Sequence, residues 1–392
     1  MRIDRRSLIA GGALLAIGAA AGPEQGIGAT LDRAAALPPG ERLAMLRRID
    51  AAGLARGARL DLAAALRGAG LEADIAAATD AAERYPLQLR LNAGWDIAPV
   101  DAHAWGMLSA AALLPRIDGL LRQHRLRDGS IAERLRRLAR DPRHLYPDSD
   151  AGKDRAVADM NRWLAKAKRG LATHFGIVPP SAYEAQVVRM TQAEDAASKT
   201  GYRTLPASGT AGAYHVDLHQ IGLRPRWSLP SVVHHETLPG HLIQLPLQTA
   251  ADPHPLRIKA APGFVEGWAI YAEQLAAESG AFADDPLAEI GYLQWRLFRL
   301  GRLLIDTGIN HHHWSRDRAL AFVQDLQGDP MIFAPFEKDA DRAIAEPGML
   351  AGQALNALKI AEMRGRHTKG VALCAFHDRI LRAGAVPIAL LA

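Results

Sequence analysis

His234-His235-Glu236-Thr237-Leu238-Pro239-Gly240-His241 is the stretch on which the reading of this chain turns. Hydrolysis at a metal needs two imidazoles aimed at one ion and a carboxylate that takes a proton from bound water. His235, His241 and Glu236 supply those types. The two histidines are six apart, whereas neighbours on one helical face are three or four apart. Six steps of about 100° would turn the second imidazole well away from the first on an unbroken helix. Pro239 removes an amide donor and clashes with the preceding turn, and Gly240 tolerates the torsions that result. Two outcomes stay open. A bulged helix swings His241 back beside His235, or the helix ends at Pro239-Gly240 and leaves His241 in an exposed loop.

Downstream, Phe264-Val265-Glu266-Gly267-Trp268-Ala269-Ile270-Tyr271-Ala272-Glu273 reads as a largely apolar, buried helix carrying two acids. Buried carboxylates are costly unless they pair or bind metal. Glu266 and Glu273 are seven apart and share a face at about 10 Å along the axis. One suits a metal ligand and the other an acceptor for a ligand imidazole. Ion pairs to Arg296 or Arg302 are the alternative. Nine of the 15 histidines fall between His215 and His313.

Around this centre the pattern is helical. From Leu31 to about Ala172 apolar residues recur at three and four, broken at Pro38-Pro39-Gly40, Gly68 to Gly70, Pro86 and Asp141 to Asp150. Between Tyr202 and Trp227 the chain alternates and carries glycines, which predicts the one β element. Helical periodicity returns over 231–248, 264–279, 287–310, 315–326 and 350–364. The expected fold is mostly α with a small β element near residues 202–227. It divides into a leader at 1–21, an N-terminal helical region at 30–173 and a C-terminal region at 174–392 that holds the site.

The 392 residues are 49% hydrophobic and 23% charged, enough for a sizeable core. The formal net charge is +5, of which the leader carries +2 through Arg2, Asp4, Arg5 and Arg6. That leaves no footprint for nucleic acid. Cys374 is the single cysteine, which excludes an internal disulfide framework and a thiolate metal site. The charged start, the small apolar run from Ala10 to Ala21 and its Ala-Ala-Ala end predict a cleaved export signal rather than a stable membrane anchor. Arg5-Arg6-Ser7-Leu8-Ile9 resembles a twin-arginine signal, so a periplasmic or extracellular protein is expected, with an ordinary secretory signal as the alternative.

These motifs resemble a bacterial family, domain of unknown function 885, whose signature is H-E-x-x-P-G-H followed by E-G-W-x-x-Y-x-E. The likeness continues at Arg302 to Ile309, Trp314-Ser315, Gly352-Gln353-Ala354-Leu355 and Phe376-His377-Asp378, and covers roughly Tyr183 to the C-terminus. That family looks like a branch of the zincin metallopeptidases, in particular the helical gluzincins, where a glutamate downstream of the histidine pair is the third ligand. The resemblance therefore implies a zincin-like fold and one Zn²⁺ on His235, His241 and Glu266, with Glu236 as general base and water in the open position. It also implies Glu273 and Asp306 behind the ligands, an oxyanion donor among His311, Tyr271 and Arg302, and Arg342 as a clamp for a substrate carboxylate. The strand at Ala213-Tyr214 resembles the edge strand on which gluzincins align a peptide.

Three departures bear on this. Asn310 stands where many relatives have histidine, Ala351 where they have proline, and no tyrosine lies near Ala357. The expected activity is hydrolysis of peptides or small amides, against a peptide-binding protein on a decayed peptidase fold. His215 and His219 on a strand would lie about 13 Å apart, too far to share an ion. His311 to His313 read as a solvated helix end, and His377 and Cys374 as parts of the last helix and core.

Overall fold

The computed structural model describes residues 24–329, 334–365 and 370–391. The leader at 1–21, with its Arg5-Arg6 pair, lies outside them.

The helices run α1 Glu24–Ala35, α2 Pro39–Leu46, α3 Arg56–Ala77, α4 Ala81–Ala93, α5 Pro99–Gln123, α6 Ile131–Ala139, α7 Asp150–His174 and α8 Gln192–Ala196. They continue as α9 Leu229–Glu236, α10 His241–Ala251, α11 Pro255–Lys259, α12 Phe264–Glu278, α13 Pro286–Asn310, α14 Arg316–Gln327, α15 Phe336–Ala345, α16 Met349–Arg364 and α17 Gly370–Arg382. Their starts follow local chemistry: Asp80, Ser130, Ser149, Asp285 and Ser315 each accept a backbone N–H of the first turn they cap. None of them is long and apolar enough to cross a membrane, among the described residues.

The long helix α13 is the axis of the fold. Its apolar side packs on α5 and α16 through Leu297, Leu303 and Leu304 against Ile117, Leu121 and Leu355. A second core joins Met160 and Leu164 of α7 to Leu242, Trp268 and Phe376. Both cores therefore draw residues from either side of position 173, and the two helical regions pack as neighbours.

The β element is a three-stranded sheet of β1 Gln186–Arg189, β2 Tyr202–Thr204 and β3 Ala213–Val216, in the order β1-β3-β2. β1 lies parallel to β3 and β2 antiparallel to it, with Arg203 opposite Tyr214. The strand expected at an edge is thus the central one. Residues 205–212 fold β2 back along β3, and β1 arrives on the other side, so β2 and β1 form the edges.

Candidate metal centre

The predicted stretch 231–248 is two helices, neither one bulged helix nor a helix followed by an exposed loop. α9 stops at Glu236, α10 starts at His241, and the Leu238-Pro239 peptide is cis. Leu242 N–H bonds back to the Thr237 carbonyl at 2.9 Å, and Gln244 N–H to that of Gly240 at 3.2 Å. A Cβ on Gly240 would lie 1.9 Å from the His235 carbonyl oxygen, so only glycine lets the chain fold so closely over the end of α9. His241 is completely buried, its ring 5.0 Å from that of His235 and nearly perpendicular to it.

The E-G-W triple of α12 explains itself in the same terms. Trp268 Nε1–H donates to the Pro239 carbonyl at 3.0 Å and pins the crossover. A Cβ on Gly267 would lie 2.3 Å from that of Asn356, which is how closely α12 and α16 approach. Glu266 is thereby carried to the histidines. Its Oε2 lies 3.4 Å from His235 Nε2 and its Oε1 3.6 Å from His241 Nε2. One ligand atom from each of the three residues falls within 4.8 Å of the others. A tetrahedral ion with nitrogen and oxygen ligands at about 2.0–2.1 Å has ligand atoms about 3.3 Å apart, close to the two measured separations.

Behind this cluster, His235 Nδ1–H donates to Glu273 Oε1 at 2.8 Å, and Ser231 Oγ–H to Glu273 Oε2 at 2.6 Å. This bond sets the tautomer that leaves the Nε2 lone pair facing Glu266. Arg299 Nη2 stands 3.8 Å from the same carboxylate. Burial would raise both acids, yet contacts with His235 and His241 hold Glu266 well below the usual carboxylate range. The His235 hydrogen bond likewise lowers Glu273. Both ring nitrogens of His241 are buried with no hydrogen-bond partner. His241 Nε2, unpartnered and 3.6 Å from Glu266 Oε1, completes with His235 Nε2 a donor set that a divalent cation would satisfy, and two nitrogens with one oxygen suit zinc.

Glu236, next along α9, is ion-paired with Arg203 of β2, which outweighs burial and lowers its pKa. Tyr214 is buried directly across the sheet from Arg203, its hydroxyl pushed up by burial and by the Glu236 charge.

The remaining expected residues have other partners. Asp306 accepts from Gly348 N–H at 2.9 Å, Ala351 N–H at 3.0 Å, Tyr85 Oη–H at 3.1 Å and Asn310 Nδ2–H at 3.3 Å, so it caps α16 rather than backing a metal ligand. Tyr271, five residues past Glu266, points about 140° around α12 from it. Its hydroxyl lies 2.6 Å from His377 Nε2, in the core rather than beside a substrate. Arg302 gives both prongs of its guanidinium to Asp339 at 2.9 and 2.7 Å, and Arg342 pairs with Glu346 at 2.9 Å. His311 ends α13 beside His312, with ring centroids 4.8 Å apart, and belongs to the solvated terminus. His215 stacks on Tyr202, and His219 is exposed; they share no ligand position. Cys374 is half-buried.

The departures have structural consequences of their own. Asn310 donates to the Asp306 and Ala343 carbonyls, and Ala351 supplies Asp306 with an N–H that proline lacks. The sequence reading missed Arg203, Arg299 and Ser231, since single residues of these types carry no local signature.

The chain belongs to the family of bacterial proteins of unknown function DUF885, whose model matches residues 12–392. Two solved structures share the fold. One, from Colwellia psychrerythraea, is described as a "putative lipoprotein"; it has a TM-score of 0.71 at 24% identity, over 94% of this chain and 68% of that one. The other, from Shewanella oneidensis, is described as a "putative lipoprotein of unknown function"; it has a TM-score of 0.65 at 16% identity, over 92% and 72% of the two chains. No curated protein matches.

Proposed function

We propose that the protein is an exported metal-dependent hydrolase of the zincin kind, cleaving peptides or small amides. The observation that carries this reading is the buried His241, both of whose nitrogens lack partners beside Glu266 and His235. His235, His241 and Glu266 would hold one Zn²⁺. When bound, that ion supplies a Lewis acid for a scissile carbonyl and lowers the pKa of water.

The chain's own part is positional. Glu273 keeps the proton of His235 on Nδ1. Glu236 Oε2 is held by Arg203, which leaves Oε1 to take a proton from the attacking water and return it to the leaving amine. β2 is a free edge of the sheet beside these groups, where an extended substrate backbone can pair. That role passes from β3 to β2.

Export agrees with the lipoprotein description of the two structural neighbours and with the leader motif. Incubation of the purified protein with a peptide panel, with and without chelator, tests the reading. Chelator-sensitive cleavage restored by zinc is expected, and zinc-loaded protein that cleaves nothing would count against it. One observation favours a non-catalytic peptide-binding protein instead: the candidate base is occupied by an arginine. Tight peptide binding without cleavage would establish that reading.

A further inference from the structure

Arg203 differs from Arg302 and Arg342. Arg302 spends its fork on Asp339, and Arg342 is bound to Glu346. Arg203 makes a single hydrogen bond, from Nη1–H to Glu236 Oε2, and its Nε and Nη2 groups have no protein acceptor among the described residues. A guanidinium has five N–H donors in a planar fork matched to carboxylates. The spare ones sit on a half-buried residue of the edge strand, one side chain away from the triad.

Charge points the same way. Three carboxylates, Glu236, Glu266 and Glu273, face two guanidiniums, Arg203 and Arg299. A divalent ion on the triad turns that excess of one negative charge into one positive charge. The loaded site then attracts an anion; Arg299 is enclosed on the Glu273 side, with Nε buried and Nη2 3.8 Å from Glu273, so among the described residues the donors that face the sheet edge belong to Arg203.

We propose that Arg203 is the carboxylate receptor of this site, so that its substrates are short peptides or related amides bearing a free carboxylate within about one residue of the bond cleaved. This rests on the hydrolase reading for the word substrate, but the binding claim can be tested apart from it. A guanidinium with one charged partner also shares that partner's hold when a second carboxylate arrives. Substrate binding therefore loosens the grip on Glu236 and frees the base at the moment it is needed.

The test is calorimetric and uses zinc-loaded full chain with unhydrolysable probes. These are a reduced-amide dipeptide (CH₂–NH in place of CO–NH) with a free C-terminal carboxylate, its carboxamide twin, and a carboxamide carrying a glutamate side chain. The free carboxylate is expected to bind at least about tenfold tighter than its twin, as one charge-assisted hydrogen-bonded pair implies. Arg203→Met should erase that ratio, and Arg203→Lys should retain part of it. Equal binding of the twins by the wild type, or an unchanged ratio in a folded Arg203→Met or Arg203→Lys protein, would overturn the proposal. If the glutamate probe alone gains from Arg203, the receptor stands and the carboxylate is a side chain's. Discrimination by a protein that cleaves no peptide also sustains the receptor while removing the hydrolase reading.

Discussion

Two acidic centres lie on successive helices, and only one is complete. Asp306 on α13 receives four hydrogen bonds from the chain itself, two of them from the backbone that opens α16. At the other centre, Glu266 on α12 meets two imidazoles, and one of these has both nitrogens unpartnered among the described residues. Burial makes an unmade hydrogen bond expensive, so a saturated carboxylate acts as a structural joint, whereas an unsaturated cluster is where a bound ion would gain most. Both acids look alike in the sequence; their donors separate them.

The comparison breaks most sharply in function. Glu236→Gln should lower kcat for any cleaved peptide by about 10³-fold while zinc content stays at the wild-type level. Undiminished turnover would remove Glu236 as the base. The same comparison predicts that Asp306→Ala acts on stability alone. It leaves two backbone N–H groups and the Tyr85 hydroxyl without an acceptor, at a cost of about 3–4 kcal/mol. Chemical denaturation should show that loss, with unchanged zinc per folded chain.

Asp306 also gives a pH signature. Burial pushes its carboxyl up to about 6, against about 3.8 in the unfolded chain. Its folded-state pKa is the higher one, so its stabilisation is present below about pH 4 and is lost as pH rises through 6. The change is about 3 kcal/mol for a two-unit shift. Stability curves of wild type and Asp306→Asn between pH 4 and 7 should differ by this slope, and parallel curves would contradict the assignment. The smallest effect is expected at Glu273→Gln, where a poorer acceptor for His235 Nδ1–H should weaken zinc binding about 10- to 100-fold without unfolding the protein.

How much of this was legible depended on whether the signal was local. α12, α13, α14 and α16 begin and end within about two residues of their predicted bounds, because apolar periodicity and caps such as Ser315 act within a few residues. The convergence of His235, His241 and Glu266 was implied by the family resemblance, since spacing alone left open both the place of His241 and the choice between Glu266 and Glu273; the route is a break between two helices. The sheet order was out of reach because it depends on β1, which pairs with β3 from more than twenty residues away. Asp306 was misassigned since an acid that caps a distant helix has the same sequence appearance as one that backs a ligand. Tyr271 could have been excluded by its angle on α12 alone. Arg203 could not have been found, because its importance comes only from the fold of β2 over α9.

The central claim is that the triad holds one divalent ion. Elemental analysis of the purified full chain, equilibrated with zinc and dialysed, tests it beside His241→Ala. The wild-type chain should retain about one zinc, and a His241→Ala protein with the same circular dichroism less than about a tenth of that. A folded wild-type chain that retains no zinc, or a His241→Ala chain that retains it fully, would contradict it.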